Sequence, residues 1–227
     1  MSDPHIGAAT ARLLLDSGAV QVSRNRPFML AAGWASPVYV DCRRLIGEPA
    51  WRQEITALAA TVIKQRIGAS AFDAIAGAET AGIPFAAWLA DRLSLPMRYV
   101  RKRPLGIGRH AQVEGGAVDG LRVLLVDDLA TDGGSKTAFV RGLRTAGAIV
   151  TDALVIFHHG VFPGGAERLA QLNLTLHALA TWTDILLLDA ATHRLDPADR
   201  AEIERFIADP AAWSADHHGR GGPMLPL

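Results

Sequence analysis

The residues best suited to chemistry lie in one stretch, VLLVDDLATDGGSK at positions 123–136. An apolar run ends in two adjacent carboxylates, Asp127 and Asp128, and a loop rich in glycine and hydroxyl groups then leads directly into a predicted helix. In open α/β sheets, ligands bind at the carboxyl ends of the strands, and the backbone N–H groups of a glycine loop at a helix N-terminus bind anions. We therefore predict that a phosphate group binds to the loop residues Thr131, Asp132, Gly133, Gly134 and Ser135.

Asp127 and Asp128 require a second, different group on the ligand. Because two carboxylates would repel a phosphate placed directly on them, we expect them to accept hydrogen bonds from sugar hydroxyls, with Mg²⁺ shared by the oxygens of the ligand. A ribose 5-phosphate carries a phosphate and a vicinal diol close together. The sequence therefore predicts such a ligand, with magnesium bound through it rather than by a dedicated protein cluster.

Other interpretations of these loops fit less well. A Walker A loop requires Gly-Lys followed by Ser or Thr, whereas residues 134–137 read Gly-Ser-Lys-Thr. Residues 106–111 (GIGRHA) loosely match a dinucleotide fingerprint, but the following QVEGGAVDG cannot form its helix. A turn with a helix cap explains single residues of the 123–135 pattern. It does not explain why a buried strand should end in paired carboxylates, which are unfavourable there without a ligand or ion.

Composition excludes several classes of protein. The 23 Lys and Arg residues balance 23 Asp and Glu residues, which argues against a protein that coats nucleic acid or an anionic membrane. Cys42 is the single cysteine, so the chain has no intrachain disulfide and suits a reducing compartment. No signal peptide and no apolar run of about 18 residues is evident. We expect a cytoplasmic protein with small-molecule substrates and no membrane or nucleic-acid partner.

Strand-like and helix-like segments alternate along the chain, which predicts an α/β fold with a mostly parallel central sheet flanked by helices. The length of 227 residues suits a single domain. Within it we expect a ligand-binding core at about 70–160, with capping segments at about 1–45 and 180–227. The predicted strands lie at 37–40, 72–76, 97–100, 121–126, 149–157 and 174–179, and the predicted helices near 8–15, 49–67, 85–93, 135–146, 165–171, 182–190 and 198–208.

Residues 123–135 resemble the phosphoribosyl-pyrophosphate (PRPP) binding motif of the type I phosphoribosyltransferases. Three further stretches resemble the orotate phosphoribosyltransferase branch of that family, and the similarity extends over nearly the whole chain. These stretches are FMLAAGWASPVYVDCR at 28–43, IAGAETAGIPFAAWLA at 75–90 and YVRKRPLGIGRHAQVEG at 99–115. The resemblance implies a type I phosphoribosyltransferase fold in which the terminal capping segments form a hood.

The resemblance also implies an activity: transfer of the phosphoribosyl group from PRPP to orotate, which gives orotidine 5′-monophosphate and pyrophosphate in de novo pyrimidine synthesis. It implies dependence on Mg²⁺ and a homodimer in which a mobile loop closes over the neighbouring subunit's site. By position, pyrophosphate would bind to Arg101, Lys102, Arg103 and Arg109, and the base would bind near Ala31, Tyr39 and Val40.

The chain departs from the family pattern at four places, one of which is Ile107, where some members have a histidine in the loop. The catalytic lysine usual in the loop is replaced by Leu105, and a lysine usual near the base is replaced by Ala31. An arginine that often anchors the orotate carboxylate has no counterpart in the sequence Phe157-His158-His159-Gly160. Two alternatives therefore stay open: a phosphoribosyltransferase that uses another base, and a PRPP-binding regulatory protein with little turnover.

Overall fold

The computed structural model describes residues 4–68, 70–108 and 111–222. Within these ranges the chain alternates strands and helices, as the sequence pattern predicts. The strands are β1 (Val20–Val22), β2 (Phe28–Met29), β3 (Ala35–Ser36), β4 (Val38–Val40), β5 (Ala74–Ala78), β6 (Met97–Val100), β7 (Val113–Glu114), β8 (Val123–Ala130), β9 (Asp152–His158) and β10 (Thr175–Thr181). The helices are α1 (Pro4–Asp16), α2 (Pro49–Val62), α3 (Gly82–Leu93), α4 (Gly134–Thr145), α5 (Gly165–Gln171), α6 (Trp182–Thr192), α7 (Pro197–Ala208) and α8 (Pro210–Asp216).

Six of these strands form the central sheet, in the spatial order β10-β9-β8-β5-β6-β7. Neighbouring strands run parallel except at β7, which pairs antiparallel with β6 at the edge. The predicted mostly parallel α/β fold is therefore confirmed. From β5 the chain moves outward through β6, and from β8 it moves outward in the opposite direction through β9 and β10. The order thus reverses between β5 and β8, which is where open α/β sheets place their ligand crevice.

Helices cover both faces of the sheet, which is why its central strands are apolar throughout. All five residues of β5 and the first five of β8 are buried. Side chains alternate between the two faces. Ile75, Leu124 and Val126 belong to a core shared with α1, α2, α3 and α6, whereas the side chains of Ala76 and Leu125 meet α4 on the other face.

The two ends of the chain form one cap beside the sheet. Strand β1 pairs with β4 and β2 pairs with β3, and a 3-10 helix at Cys42–Ile46 follows. The backbone N–H of Ala35 in β3 donates to Ser214 Oγ in α8 at 2.9 Å, and the N–H of Arg220 donates to the carbonyl of Gly33 at 3.0 Å. Contacts between residues about 180 positions apart in the chain therefore hold the N-terminal and C-terminal capping segments together.

Three details differ from the sequence prediction. Strand β9 begins at Asp152 rather than Ile149, because Ile149 makes only an isolated bridge to Arg122 and is half exposed. The segment 101–116, which has no periodicity, contains the short edge strand β7. Helix α8 lies beyond 198–208, the last helix predicted from the sequence; Asp209 caps its N-terminus by accepting from the N–H of Ala212 at 2.9 Å.

Candidate functional site

The candidate site lies at the carboxyl ends of β5 and β8, where the strand order reverses. A close approach between backbones builds this edge. Helix α3 begins at Gly82, and a Cβ at that position would lie 2.3 Å from the carbonyl oxygen of Val126 and 2.9 Å from the Cα of Asp127. Only glycine lets the first turn of α3 touch β8 directly. The segment after β5 and the acidic end of β8 are therefore held against each other.

The predicted phosphate loop, 131–135, joins β8 to the N-terminus of α4. Gly133 is the N-cap residue and has a φ of 75°, a left-handed conformation that glycine adopts without strain. The carboxylate of Asp132 accepts from the N–H of Gly134 at 3.0 Å and is almost fully buried. The backbone of a glycine turn at a helix N-terminus is the geometry expected of an anion site.

Two arginines from distant parts of the chain support this loop through Asp132. Nη1 of Arg168 donates to the carbonyl of Asp132 at 2.5 Å and lies 3.3 Å from its Oδ2, and Nη1 of Arg220 lies 3.9 Å from the same oxygen. The side chain of Asp132 is thus engaged with protein cations. Asp132 would therefore contact a phosphate through its backbone and not through its side chain.

The paired carboxylates differ sharply in their surroundings. Asp127 is buried, and Nζ of the fully buried Lys136 lies 2.5 Å from its Oδ2. Its Oδ1 accepts from the N–H of Asp128 at 2.9 Å. Asp128 is more exposed than Asp127. Both carboxylates lie where the sequence predicts, but Asp127 is held by the protein, so Asp128 is the more available to a ligand.

The electrostatics of Asp128 follow from this arrangement. Burial, the negative charge of Asp127 and a hydrogen bond with Asp127 raise the pKa of Asp128 to about 7, and Lys136 partly opposes this shift. Since a carboxyl with such a pKa is only partly ionised near neutral pH, a ligand that brings hydroxyl donors or a cation would favour its ionised form.

At the end of β6, Arg101 is held by two carboxylates. Its Nε donates to Glu114 Oε1 at 3.0 Å, and its Nη1 lies 3.5 Å from Glu79 Oε1. Glu79 follows β5 directly, and its Oε2 also accepts from the backbone N–H of Lys102 at 2.9 Å. Glu79 therefore connects the end of β5 to the pair of cations predicted to bind pyrophosphate.

Beyond Lys102 the chain forms an exposed loop. Lys102 and Arg103 are exposed, as are Leu105 and Ile107, whose exposed fractions of 68% and 106% make them unusual for large apolar side chains. The N–H of Leu105 donates to the carbonyl of Ala111 at 2.7 Å, which closes the base of the loop. Arg109, the fourth residue predicted to contact pyrophosphate, lies outside the described residues.

The three residues predicted near the base differ in accessibility. Ala31 is exposed, and Tyr39 is partly buried, with its ring 5.7 Å from that of Phe28 and its hydroxyl accepting from Arg43 Nη2 at 3.0 Å. The side chain of Val40 belongs to the core and is only 2% exposed. Strand alternation in β4 explains this, because it turns Val40 inward and Tyr39 outward.

A cavity of about 310 Å³ opens beside the phosphate loop and is lined by Thr131, His158, Gly160, Phe162 and residues at the start of α5. Burial and the charge of Lys136 lower the pKa of His158, so its imidazole is neutral at pH 7 and can both donate and accept a hydrogen bond. The adjacent His159 is fully buried, its pKa is lowered to about 3, and it accepts from Trp182 Nε1 at 3.1 Å. His159 is therefore part of the core, and His158 is the histidine that reaches the cavity.

Comparison with known proteins identifies the family. Residues 46–161 match the phosphoribosyl transferase domain family. An orotate phosphoribosyltransferase from Cereibacter sphaeroides is 49% identical over 92% of this chain and 90% of its own length. The chain belongs to the orotate phosphoribosyltransferase branch of the phosphoribosyltransferase family.

Solved structures of related proteins share the fold. Orotate phosphoribosyltransferase from Aeropyrum pernix is 39% identical, with a TM-score of 0.67 over 78% of this chain and 96% of that one. UMP synthase from Leishmania donovani is 28% identical, with a TM-score of 0.75 over 89% of this chain, which spans only 43% of that longer protein. The type I phosphoribosyltransferase fold implied by the sequence motifs is confirmed by these similarities.

Two residues of the site, Lys136 and Glu79, are not among those predicted from the sequence. A signal for Lys136 was present, because positions 136, 139, 140 and 143 share one helical face and all are buried. Glu79 lies in the IAGAET stretch directly after the buried strand β5, and the pairing of Gly77 with Val126 places it level with Asp128 of β8. Among the described residues, none of the helices is long and apolar enough to span a membrane.

Proposed function

We propose that this protein transfers the phosphoribosyl group from PRPP to orotate, giving orotidine 5′-monophosphate and pyrophosphate in pyrimidine nucleotide synthesis. The observation that carries the proposal is the glycine loop at the start of α4, placed directly after a carboxylate pair at the sheet edge where the strand order reverses. The high identity to orotate phosphoribosyltransferases over most of the chain favours orotate over another base.

The residues suggest how the chain would hold the donor. The backbone of 131–135 would bind the 5-phosphate, and Asp128, with Asp127 behind it, would accept hydrogen bonds from the ribose hydroxyls. In the reaction the bond from C1 of the ribose to pyrophosphate breaks, and a ring nitrogen of orotate forms the new bond to C1. The protein has to align the two substrates and stabilise the charge that develops on the leaving group.

Arg101, Lys102 and Arg103 would meet the pyrophosphate. Arg101 pairs with Glu79 and Glu114, so pyrophosphate has to compete with these carboxylates for its guanidinium. Lys102 and Arg103 are exposed on the loop that continues to Arg109. Arginine is a good diphosphate ligand but a poor proton donor, so Arg101 and Arg103 would stabilise charge rather than transfer a proton.

The acceptor would occupy the cavity beside Thr131. His158 lines this cavity as a neutral imidazole and offers one ring N–H donor and one acceptor nitrogen, which suits a base that carries both carbonyl and N–H groups. The hood residues Ala31 and Tyr39 are accessible from outside the core, and they would close the base side. Val40 could reach a base only through its backbone.

The carboxylates at the end of β8 fit a magnesium ion that is carried by the substrate. Among the residues that the structure describes, no group of three or more His, Cys, Asp or Glu side chains could hold a metal ion. The partly exposed carboxylate of Asp128, beside Asp127, is a hard oxygen donor next to the place proposed for the ribose diol. The chemistry that Mg²⁺ would supply beside Asp128 is neutralisation of charge on the leaving group.

A homodimer in the cytoplasm completes the proposal. The exposed apolar side chains of Leu105 and Ile107 are suited to contact with a second subunit. Mixing two variants tests the shared site: dimers of the loop variant Arg103→Ala and dimers of Asp128→Asn, each impaired, should regain activity when subunits exchange, because one site of each mixed dimer is then intact. A single cysteine, Cys42, which allows no intrachain disulfide, is in keeping with a reducing compartment.

A panel of bases tests the reaction. The protein is incubated with PRPP, Mg²⁺ and orotate, uracil, adenine or hypoxanthine, and pyrophosphate release is measured. Release with orotate alone is the expected result. Release with another base but not with orotate would support a paralogue, and tight PRPP binding without any release would support a binding protein.

A further inference from the structure

Lys136 is a fully buried lysine whose ammonium group is completely satisfied by the site. Its Nζ lies 2.5 Å from Asp127 Oδ2, 2.8 Å from the carbonyl oxygen of Leu129 and 3.5 Å from Ser135 Oγ. Its side chain has an exposed fraction of 0%. A buried ammonium is unfavourable unless all of its donors have partners, so such a residue is held in one position.

The partners of Lys136 belong to the two halves of the proposed donor site. Asp127 and Leu129 lie in the second half of strand β8. Ser135 is the last residue of the predicted phosphate loop and lies in the first turn of α4. The loop 131–135 runs between these two points. The ammonium group therefore fixes the distance between the carboxylate pair and the phosphate-binding backbone.

The same contact divides the roles of the two aspartates. Asp127 uses Oδ2 for Lys136 and Oδ1 for the backbone N–H of Asp128. With Asp127 fixed in this way, the backbone of Asp128 is fixed as well, and Asp128 is the more exposed carboxylate. Lys136 reaches the ligand site through Asp127 and lies below the surface that a ligand would touch.

We propose that Lys136 is a positioning residue that sets the spacing between Asp128 and the loop 131–135, so that one ligand meets both with its diol and its 5-phosphate. The inference rests on the proposed function, because it assumes a donor that carries both groups. It predicts that Lys136 matters most for ligands that span the two halves of the site and least for ligands that occupy the loop alone.

Binding measurements with two probes test this. Ribose 5-phosphate spans both halves, whereas inorganic phosphate occupies only the loop. Calorimetry on the full chain should show that Lys136→Met weakens ribose 5-phosphate binding about tenfold or more, about 1.4 kcal/mol, and changes phosphate binding less than about threefold. A purely structural role would weaken both probes equally. The same substitution at the exposed Lys64 is the matched control and should change neither.

A double variant covers the case in which Lys136→Met does not fold because Asp127 is left unpaired. Lys136→Met combined with Asp127→Asn removes both buried charges together and preserves neutrality. It should fold, bind phosphate as the unmodified protein does and still bind ribose 5-phosphate about tenfold more weakly. Unchanged binding of ribose 5-phosphate, or an equal loss for both probes, would overturn the inference.

The unmodified protein separates this inference from the proposed function. If it releases pyrophosphate from PRPP with orotate and the double variant binds ribose 5-phosphate normally, the role of Lys136 is wrong and the function stands. If the unmodified protein binds neither PRPP nor ribose 5-phosphate, the proposed function itself fails.

Discussion

The guanidinium of Arg101 and the carboxylate of Glu79 lie across the ends of two neighbouring parallel strands, with Nη1 3.5 Å from Oε1. Glu79 ends the β5 segment and Arg101 ends β6, so the pair joins the centre of the sheet to the start of the exposed loop. A second carboxylate, Glu114 of the antiparallel strand β7, binds the same guanidinium at 3.0 Å. In this arrangement the guanidinium of Arg101, on the pyrophosphate side, is already paired with two carboxylates of the protein.

Removing one of these carboxylates should tighten pyrophosphate binding. Glu114 is partly exposed, and exposed ion pairs contribute about 0.2–1 kcal/mol. Glu114→Gln should therefore lower the inhibition constant of pyrophosphate about two- to fivefold, as measured by competition against PRPP. Glu204→Gln removes a comparable exposed partner of Arg200 and should leave that constant unchanged. Weaker inhibition by pyrophosphate in Glu114→Gln would mean that Glu114 orients Arg101 rather than competing for it.

Placing a charge at the loop position of Leu105 should raise the turnover rate. Leu105 is 68% exposed, so a lysine there changes stability by no more than about 0.5 kcal/mol. An ammonium on the loop could stabilise the leaving pyrophosphate, and we expect Leu105→Lys to raise kcat about tenfold or more. Ile107→Lys adds the same charge two residues away, and it controls for an effect on kcat of added loop charge that does not depend on position 105. Equal kcat values for the unmodified protein and Leu105→Lys would show that Arg103 or Arg109 already supplies this charge.

The raised pKa of Asp128 should make the protein less stable as pH rises. Its folded-state pKa of about 7 lies above the usual 3.8, so the folded protein binds more protons than the unfolded chain between these values. The free energy of unfolding contributed by Asp128 is therefore fully present below about pH 4 and is lost as pH rises to about 7. Asp128→Asn should lack this loss and be more stable than the unmodified protein at pH 8 by roughly 1–3 kcal/mol.

Urea unfolding at pH 5 and pH 8 measures this difference. The exposed Asp216→Asn is the control and should follow the unmodified protein at both values. The same stability difference between Asp128→Asn and the unmodified protein at both pH values would contradict a raised pKa of Asp128 in the folded protein.

Arg220 should stabilise the fold although it lies near the end of the chain. Its guanidinium lies 4.9 Å from the centre of the Trp34 ring, and its Nη1 donates to the carbonyl of Ala32 at 2.7 Å. Arg220→Ala removes both contacts together with the longer ion pair to Asp132 and should lower the free energy of unfolding by about 1–2 kcal/mol. The largely exposed Arg205→Ala should change it by less than about 0.5 kcal/mol. A midpoint of urea unfolding unchanged in Arg220→Ala would show that the side chain of Arg220 adds no stability.

The sheet and the loop could be predicted from local sequence because their signals are local. A strand buried on both faces is apolar throughout, as β8 is up to Val126, and a glycine turn before a helix shows directly in the sequence. The support of Asp132 could not be predicted in this way. Arg168 lies 36 residues away, and Arg220 reaches the loop only because α8 folds back onto β3.

Residue type alone does not predict which side chains of the site contact each other. Lys136 shares a helical face with Phe139 and Val140, so the sequence could have placed it in the interior, but not against Asp127. That contact depends on how α4 packs on β8. Val40 shows the opposite case, because its place in the alternation of β4 already indicates a core side chain.

The proposed reaction can be followed through the absorbance of orotate in the presence of the purified protein, PRPP and Mg²⁺. We predict that orotate absorbance falls at a rate proportional to protein concentration, that pyrophosphate forms in equal amount, and that Asp128→Asn slows both about 100-fold. No loss of orotate absorbance at any protein concentration, in a sample shown to be folded, would contradict the assignment of this site as an orotate phosphoribosyltransferase centre.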